Sequence, residues 1–336
     1  MLSKITVSPA PHISQKLSTQ RVMGDVIIGL LPAMAAAIWF FRLQAALVIL
    51  TCVTACMASE WICGVIRKKE NSLWDLSAVV AGLILAFSLP PAIPLWAAVI
   101  GSAFAIVICK MLFGGLGANI FNPAMAARAF LTASFGMLMT TWTVPATVDS
   151  AMPHISATNT ATVTQATPLA WAKSAIKGKA EVTEANGLLK NTFWGNVGGC
   201  LGETSSLALL IGGVYLLIRR TITFHIPAAV LIAAGVFAAV FYFVNPDKYS
   251  DPLLHLFGGG MLICAFFIAT DPVTAPLSIK GMWIFGAGAG ALIMLIRLAG
   301  EYPEGVMYAI LIMNAVTPLI DRACKLVPAG GKPHVQ

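Results

Sequence analysis

Long apolar runs recur along this 336-residue chain and decide what it can fold into. A membrane-spanning helix takes about 20 mostly apolar residues. Only 10% of the residues are charged, whereas soluble domains carry about 25%. The sequence therefore predicts a single integral membrane domain over residues 1–336, an all-α polytopic protein with about ten transmembrane helices. The candidate spans lie near 22–41, 44–66, 77–93, 94–112, 124–141, 204–218, 226–244, 253–270, 281–299 and 305–323.

The lysines and arginines are distributed unequally between alternate loops, which predicts the orientation. Short loops rich in these residues stay on the cytoplasmic side. The distribution predicts a cytoplasmic N-terminal segment at 1–21, a cytoplasmic tail at 324–336 and a long external, periplasmic loop at 142–202. The net charge of +7 then indicates orientation and contact with anionic membrane lipid, not binding of nucleic acid.

Two segments of the chain resemble each other. GLILAFSLPPAIPLWAAVIGSAF at 82–104 and GMLICAFFIATDPVTAPLSIKGMWIFGAGAG at 260–290 share an opening glycine, an apolar run, a proline-containing break and a glycine-bearing helix. They lie five predicted helices apart, and because five is odd, the second copy must be inverted in the membrane. We expect two inverted five-helix repeats with interrupted helices, which typically enclose a site near the membrane midplane. The alternative, that any two apolar hairpins look alike, stays open.

Polar residues accompany two of the predicted helix breaks. GGLGANIFNPAMAARAF at 114–130 contains Asn119 and Asn122, and TDPVTAP at 270–276 contains Asp271. Backbone freed by glycine and proline inside a membrane must find partners within the protein, so such stretches normally line a cavity or contact a ligand. Each residue could equally be a helix cap, with Asn122 preceding Pro123 at a first helical position. Spacing alone leaves both interpretations open.

Four other ionisable residues fall at predicted membrane depth. Glu60 and Arg128 could mark an ion or proton path, or could form structural ion pairs. Arg297 and Asp321 are close enough to helix ends to extend to the membrane surface.

Small residues on two predicted helices suggest packing. Cys52 and Cys56 share one helix face, but without a second pair at ligand spacing we interpret them as small buried hydrophobic residues and not as metal ligands. Gly286 and Gly290, four apart, are expected to allow close helix packing.

The loop at 142–202 is long, and loops of this length are uncommon unless they are functional or disordered. A helix is predicted to begin after Thr167, with Pro168 at its first position and Lys173 and Lys177 further along. The Thr167 hydroxyl would then cap the free amides at the helix start. The same amides and the helix dipole could stabilise a phosphate there.

Several separate motifs occur in the order found in one family. In chain order they are GGLGANIFNPAMAARAF at 114–130, TQATPL at 164–169, TDPVTAP at 270–276 and MNAVTPLID at 313–321, and together they span most of the chain. The chain resembles the membrane-subunit family that contains the D subunit of the Rnf ion-translocating complex and the B subunit of the sodium-pumping NADH:quinone reductase.

This resemblance implies two flavins. In the family, the threonine of an S/T-G/Q-A-T motif carries FMN through a phosphoester, which here implies Thr167, although Gln165 stands where many relatives have glycine. We expect its hydroxyl to be exposed to a flavin transferase outside the cytoplasm, with the lysines nearby. The family also implies a non-covalent riboflavin, here at Asn119, Asn122 and Asp271.

The resemblance also implies a function in the cell inner membrane. A cytoplasmic segment of only about 21 residues favours the Rnf type, whose complex passes electrons between ferredoxin and NAD and moves Na⁺ or H⁺. The expected partners are the A, B, C, E and G subunits. The chain would be a flavin-carrying relay without catalytic or metal-binding residues of its own, and it would not be catalytically complete alone. The alternatives are the B-type subunit of a quinone reductase or a stand-alone transporter similar to urea channels.

Overall fold

The computed structural model describes residues 18–68, 72–143, 145 and 166–325. Within these ranges the secondary structure is helical and contains no β-strand. The expectations for residues 1–17, for 146–165 in the long loop and for the tail beyond 325 lie outside the described residues.

The first part of the chain forms five helices. The predicted spans 22–41 and 44–66 are joined in one long helix that is broken at a single residue, Arg42, with φ 54° and ψ −136°. The proline-rich stretch at 88–94 separates two helices, as predicted, whereas the predicted span 124–141 is divided at Phe135. The helices are α1 (Thr19–Ile66), α2 (Ser77–Phe87), α3 (Leu95–Ala103, continuing as a π-helix over Phe104–Met111), α4 (Pro123–Ser134) and α5 (Gly136–Met139), with a 3₁₀ turn at Leu73–Asp75.

The described residues from 166 to 325 form nine further helices. The predicted span at 253–270 is divided into two helices, because residues 258–260 interrupt it and Gly259 adopts φ 64°. The helices are α6 (Pro168–Ile176), α7 (Val182–Gly187), α8 (Leu189–Trp194), α9 (Ser206–Ile218), α10 (His225–Val244), α11 (Pro252–Phe257), α12 (Met261–Ile263, continuing as a π-helix over Cys264–Ile268), α13 (Ile279–Ala299) and α14 (Val306–Ala323), with a 3₁₀ turn at Leu201–Glu203.

Four helices in the described part of the chain are long and apolar enough to cross a membrane, namely α1, α10, α13 and α14. Their outer faces, and that of the shorter apolar helix α9, present large hydrophobic side chains. Ile218, Phe243 and Leu319 are 75%, 80% and 61% exposed. A surface of this kind suits lipid and not water. The chain is therefore a multi-pass α-helical membrane protein.

Close helix contacts hold the bundle together. A Cβ atom at Gly290 would lie 2.4 Å from the Val230 carbonyl oxygen, and one at Gly286 would lie 2.9 Å from the Ile226 carbonyl oxygen. The two glycines thus let α13 pack directly on the backbone of α10, which confirms the predicted packing role.

Two short helical segments form the centre of the bundle. Ten of the eleven residues of α2 are buried, and so is every residue from Met261 to Ile268. Cys52 and Cys56 are also fully buried, as expected of small hydrophobic residues. Because α2 and the Met261–Ile268 segment are each followed by non-helical chain, the fold places irregular backbone next to its own interior.

Candidate functional site

A cavity opens at one end of the bundle, where α1, α2 and α4 begin and the Met261–Ile268 segment ends. It contains about 760 Å³ of space, part of it open to solvent. Its walls are mostly apolar and include Val26, Ile84, Phe266 and Phe267. The three residues that the sequence assigned to a non-covalent ligand all line it, together with further polar groups: Asn119, Asn122, Asp271, Ser77, Lys110, Thr221 and Thr270.

Asn122 has two roles at this cavity. Its Oδ1 accepts hydrogen bonds from the backbone amides of Ala124 (3.1 Å) and Met125 (3.2 Å), so it is the N-cap of α4. Its Nδ2 donates to Asp271 Oδ2 at 3.5 Å. The cap interpretation is confirmed, and because the oxygen and the nitrogen of the amide have different partners, capping leaves this residue free to line the cavity as well.

Asp271 and Asn119 are held by their own turns. Asp271 accepts from the Val273 amide and from the Thr274 hydroxyl, each at 3.2 Å. Asn119 is 8% exposed, and its Nδ2 donates to the Phe121 carbonyl oxygen at 3.2 Å. The turn before Asn119 contains three glycines with positive φ, at 114, 115 and 117, a conformation that other residues rarely adopt. The glycine-rich motif therefore positions the asparagine.

Lys110 at the cavity wall has a role that the sequence did not predict. Its ammonium group donates to Glu60 Oε2 at 2.7 Å and to Ser77 Oγ at 2.5 Å. Glu60 is therefore part of a buried ion pair, which was one of the two interpretations left open. The sequence did indicate two unusual ionisable residues, since both follow long apolar runs. It did not indicate that they pair with each other across 50 positions.

Asn314, to which the sequence gave no role, supports Asn122. With the carboxamide of Asn314 oriented for hydrogen bonding, its oxygen accepts from the Asn122 backbone amide at 3.0 Å and its nitrogen donates to the Ile310 carbonyl oxygen at 2.9 Å. The terminal motif MNAVTPLID thus contacts the cavity-lining break from α14.

Thr167 lies toward the other end of the bundle. It is the N-cap of α6, and its Oγ1 accepts from the Ala170 amide at 3.1 Å, with Pro168 at the first helical position. The capping prediction is confirmed. The expectation of an exposed hydroxyl is wrong, because Thr167 is only 7% exposed.

The burial of Thr167 follows from how α6 packs. Leu169 lies over Gly259, where a Cβ atom would come within 2.5 Å of its side chain. Thr167 lines a narrow hollow of about 230 Å³, together with Thr192 and Glu203.

The lysines of α6 fix this helix to α13. Lys173 Nζ donates to the carbonyl oxygens of Arg297 (2.7 Å) and Ile296 (3.5 Å), and Lys177 pairs with Glu301 at 2.8 Å. Burial lowers the pKa of Lys173 below its ordinary 10.5, and the charge of Lys177 adds to this shift. Since both ammonium groups contact α13 or the turn after it, an anion at Thr167 would be stabilised by the free amides at the start of α6 and not by these lysines.

Buried charges lie close to the Thr167 hollow. Arg128 pairs with Glu203 at 3.7 Å, and Arg297 pairs with Glu304 at 3.2 Å. Arg297 is 2% exposed and donates to the carbonyl oxygen of His255 at 2.6 Å, so the prediction that it extends to the membrane surface is wrong. Because α11 ends at Phe257 and does not continue into α12, the carbonyl group of His255 in its last turn is available to accept from the Arg297 guanidinium.

The fold and the two sites together define a class of protein. It is a multi-pass helical membrane protein with an apolar cavity edged by polar groups toward one end and a capping threonine on a packed helix toward the other. A family model described as the NQR2, RnfD, RnfE family matches residues 6–330, and the chain belongs to that family.

Relatives of known designation match over nearly the whole chain. The D subunit of the Na⁺-translocating ferredoxin:NAD⁺ oxidoreductase complex of Acetobacterium woodii is 44% identical, with 96% of this chain and 94% of that protein covered. The D subunit of the proton-translocating ferredoxin:NAD⁺ oxidoreductase complex of Clostridium ljungdahlii is 41% identical, with 97% and 96% covered. The D subunit of the ion-translocating oxidoreductase complex of Halorhodospira halophila is 39% identical, with 93% and 91% covered.

Proposed function

We propose that this chain is the flavin-carrying membrane subunit of an Rnf-type complex that passes electrons between ferredoxin and NAD⁺ and translocates Na⁺ or H⁺. As one component of an ion-translocating oxidoreductase it works with the other subunits of such a complex, for which the A, B, C, E and G subunits are the proposed partners. Full-length similarity to three D subunits supports this proposal.

The proposed architecture has ten transmembrane segments in two inverted five-helix repeats. The break at Arg42 supports counting α1 as two spans. The short buried helices, α2 and Met261–Ile268, support two interrupted helices in corresponding positions. In the proposed orientation both termini are cytoplasmic and the chain lies in the inner membrane, with α6 on the external side.

The observation that carries the proposal is the cavity that brings Asn122 and Asp271 together. Its lining suits a flavin, because mostly apolar walls with a few polar groups are typical of sites for ligands of this kind. Phe266 and Phe267 offer apolar and aromatic walls, while the amide and carboxylate groups offer partners for ring-edge and ribityl hydrogen-bonding atoms, which would be costly to leave unpaired. A flavin bound here would supply one- or two-electron transfer.

Thr167 is the proposed attachment point for FMN through a phosphoester. Its hydroxyl lies at the start of α6, where free backbone amides and the helix dipole stabilise a nearby anion by about 0.3–1 kcal/mol. Because the hydroxyl is buried, we propose that the flavin transferase acts while α6 is detached from α13. Lys173 then fixes the loaded helix to the end of α13.

A flavin inventory of the full-length chain tests this proposal. The chain is purified from a host with a flavin transferase and from one without it, and flavin is measured before and after denaturing extraction. We expect one extractable flavin per chain from both hosts and one further, non-extractable flavin only with the transferase. A chain that contains neither flavin, together with solute flux in liposomes, would contradict the proposal and favour a stand-alone transporter.

A further inference from the structure

A connected group of buried and half-buried polar side chains lies beside the cavity. Glu60 is 1% exposed and Lys110 is 2% exposed, and they are 2.7 Å apart. Ser72 donates to Glu60 Oε1 at 2.5 Å, and Ser77, which accepts from Lys110, donates in turn to Asp75. These contacts fix the position of the ammonium group with little freedom.

Lys110 reaches this position from an irregular helix turn. It lies in the π-helix Phe104–Met111, which continues α3. Such turns are rare and are frequent at functional sites, because the extra residue redirects the side chains around it. A regular helix end would suffice for a lysine whose task was only to reach the membrane surface.

Lys110 belongs to the lining of the cavity, whereas its ion-pair partner does not. Among the described residues that line it, Lys110 and Asp271 are the ionisable ones. Glu60 does not belong to that lining. An ammonium group has three N–H donors, and two of them are bonded to Glu60 and Ser77. Of this ion pair, the cationic partner therefore lines the cavity and the anionic partner does not.

We propose that Lys110 is a positioning residue that presents a positive charge to the cavity and raises the reduction potential of the flavin bound there. The inference rests on the proposed function. Reduction adds electrons, and so negative charge, to the flavin ring, and a nearby cation favours that form, most strongly where water is excluded. Glu60 weakens the effect as the counter-charge. If the pair is only structural, the potential does not depend on it.

The test is a redox titration of the extractable flavin in the full-length chain with Thr167→Ala, which removes the covalent flavin from the signal. Lys110→Met combined with Glu60→Gln removes both charges without leaving a buried carboxylate unpaired, and should lower the potential. Glu60→Gln alone should raise it, and Lys110→Arg should preserve it. We expect at least a tenfold change in the ratio of oxidised to reduced flavin at fixed ambient potential, about 30 mV for a two-electron couple.

The outcomes separate the two proposals. An unchanged potential in Glu60→Gln and in the double variant, with flavin still bound, overturns the inference and leaves the proposed function standing. If the double variant fails to fold, Lys110→Gln decides, because a lowered potential supports the role of Lys110 and an unchanged one contradicts it. Absence of extractable flavin from the parent chain overturns the proposed cavity ligand, and this inference with it.

Discussion

The Asn122 amide donates to the Asp271 carboxylate at 3.5 Å, joining residues 149 positions apart in the chain. Each residue follows or precedes a helix break, and each is anchored by its own turn. The contact therefore joins the helix break at Asn122 to the one at Asp271 along one rim of the cavity. A ligand bound there would contact both halves of the chain.

Replacing Asn122 by Asp separates capping from cavity binding. An aspartate still accepts from the Ala124 and Met125 amides, because Asp is as good an N-cap as Asn. It would, however, place a carboxylate next to Asp271 in place of a donor. We expect Asn122→Asp to keep the helix cap and to lose most extractable flavin.

Asn122→Ala is the matched control for that change. It loses the cap, which costs about 0.5–2 kcal/mol, but introduces no second carboxylate. Flavin content per chain and the thermal unfolding midpoint in detergent measure the two effects. Full flavin content in Asn122→Asp would show that the rim does not bind the ligand.

Gly290→Ala should disrupt the contact between α10 and α13. The added Cβ would lie 2.4 Å from the Val230 carbonyl oxygen, which is backbone and cannot move aside easily. We expect a loss of about 1–3 kcal/mol, as for overpacked cores. Gly64→Ala is the control, since no atom lies within 4 Å of its Cβ position and alanine favours a helix. Equal unfolding midpoints for the two variants would contradict the described packing.

Lys173→Met should speed covalent flavin loading. The change removes the charged hydrogen bond from α6 to the Arg297 carbonyl oxygen, and such bonds contribute about 1.5–3 kcal/mol. If α6 must detach before modification, the rate of flavin incorporation by purified transferase and its flavin donor should rise by roughly ten- to a hundredfold. Lys177→Met removes an exposed pair with Glu301, which contributes little. A slower or unchanged rate in Lys173→Met would argue against loading in the detached state.

The apolar runs predicted most helices because their length and hydropathy depend on local sequence alone. The division of 253–270 was not predictable in this way. Gly258 lies inside an apolar stretch, and its carbonyl oxygen accepts from Arg297, 39 positions away. That contact belongs to the folded bundle, so a window of neighbouring residues contains no sign of it.

The candidate sites show the same division between local and distant contacts. The cap at Thr167 was predictable because a threonine before a proline is a local helix-start signal. Its burial depends on Leu169 lying over Gly259, and the pairing of Lys110 with Glu60 depends on two helices meeting. The resemblance pointed to Asn119, Asn122 and Asp271 as a set, and the structure shows that they share a cavity.

The central claim is that Thr167 carries a covalent flavin, and fluorescence of the denatured chain in an electrophoresis gel under ultraviolet light tests it most directly. The chain is produced with a flavin transferase as the parent, as Thr167→Ala and as Thr167→Asp. Aspartate keeps the N-cap of α6 but cannot accept the flavin phosphate in the same linkage. We predict a fluorescent band for the parent and none for either variant. Fluorescence that persists in Thr167→Ala, or a dark parent band, would contradict the assignment of Thr167.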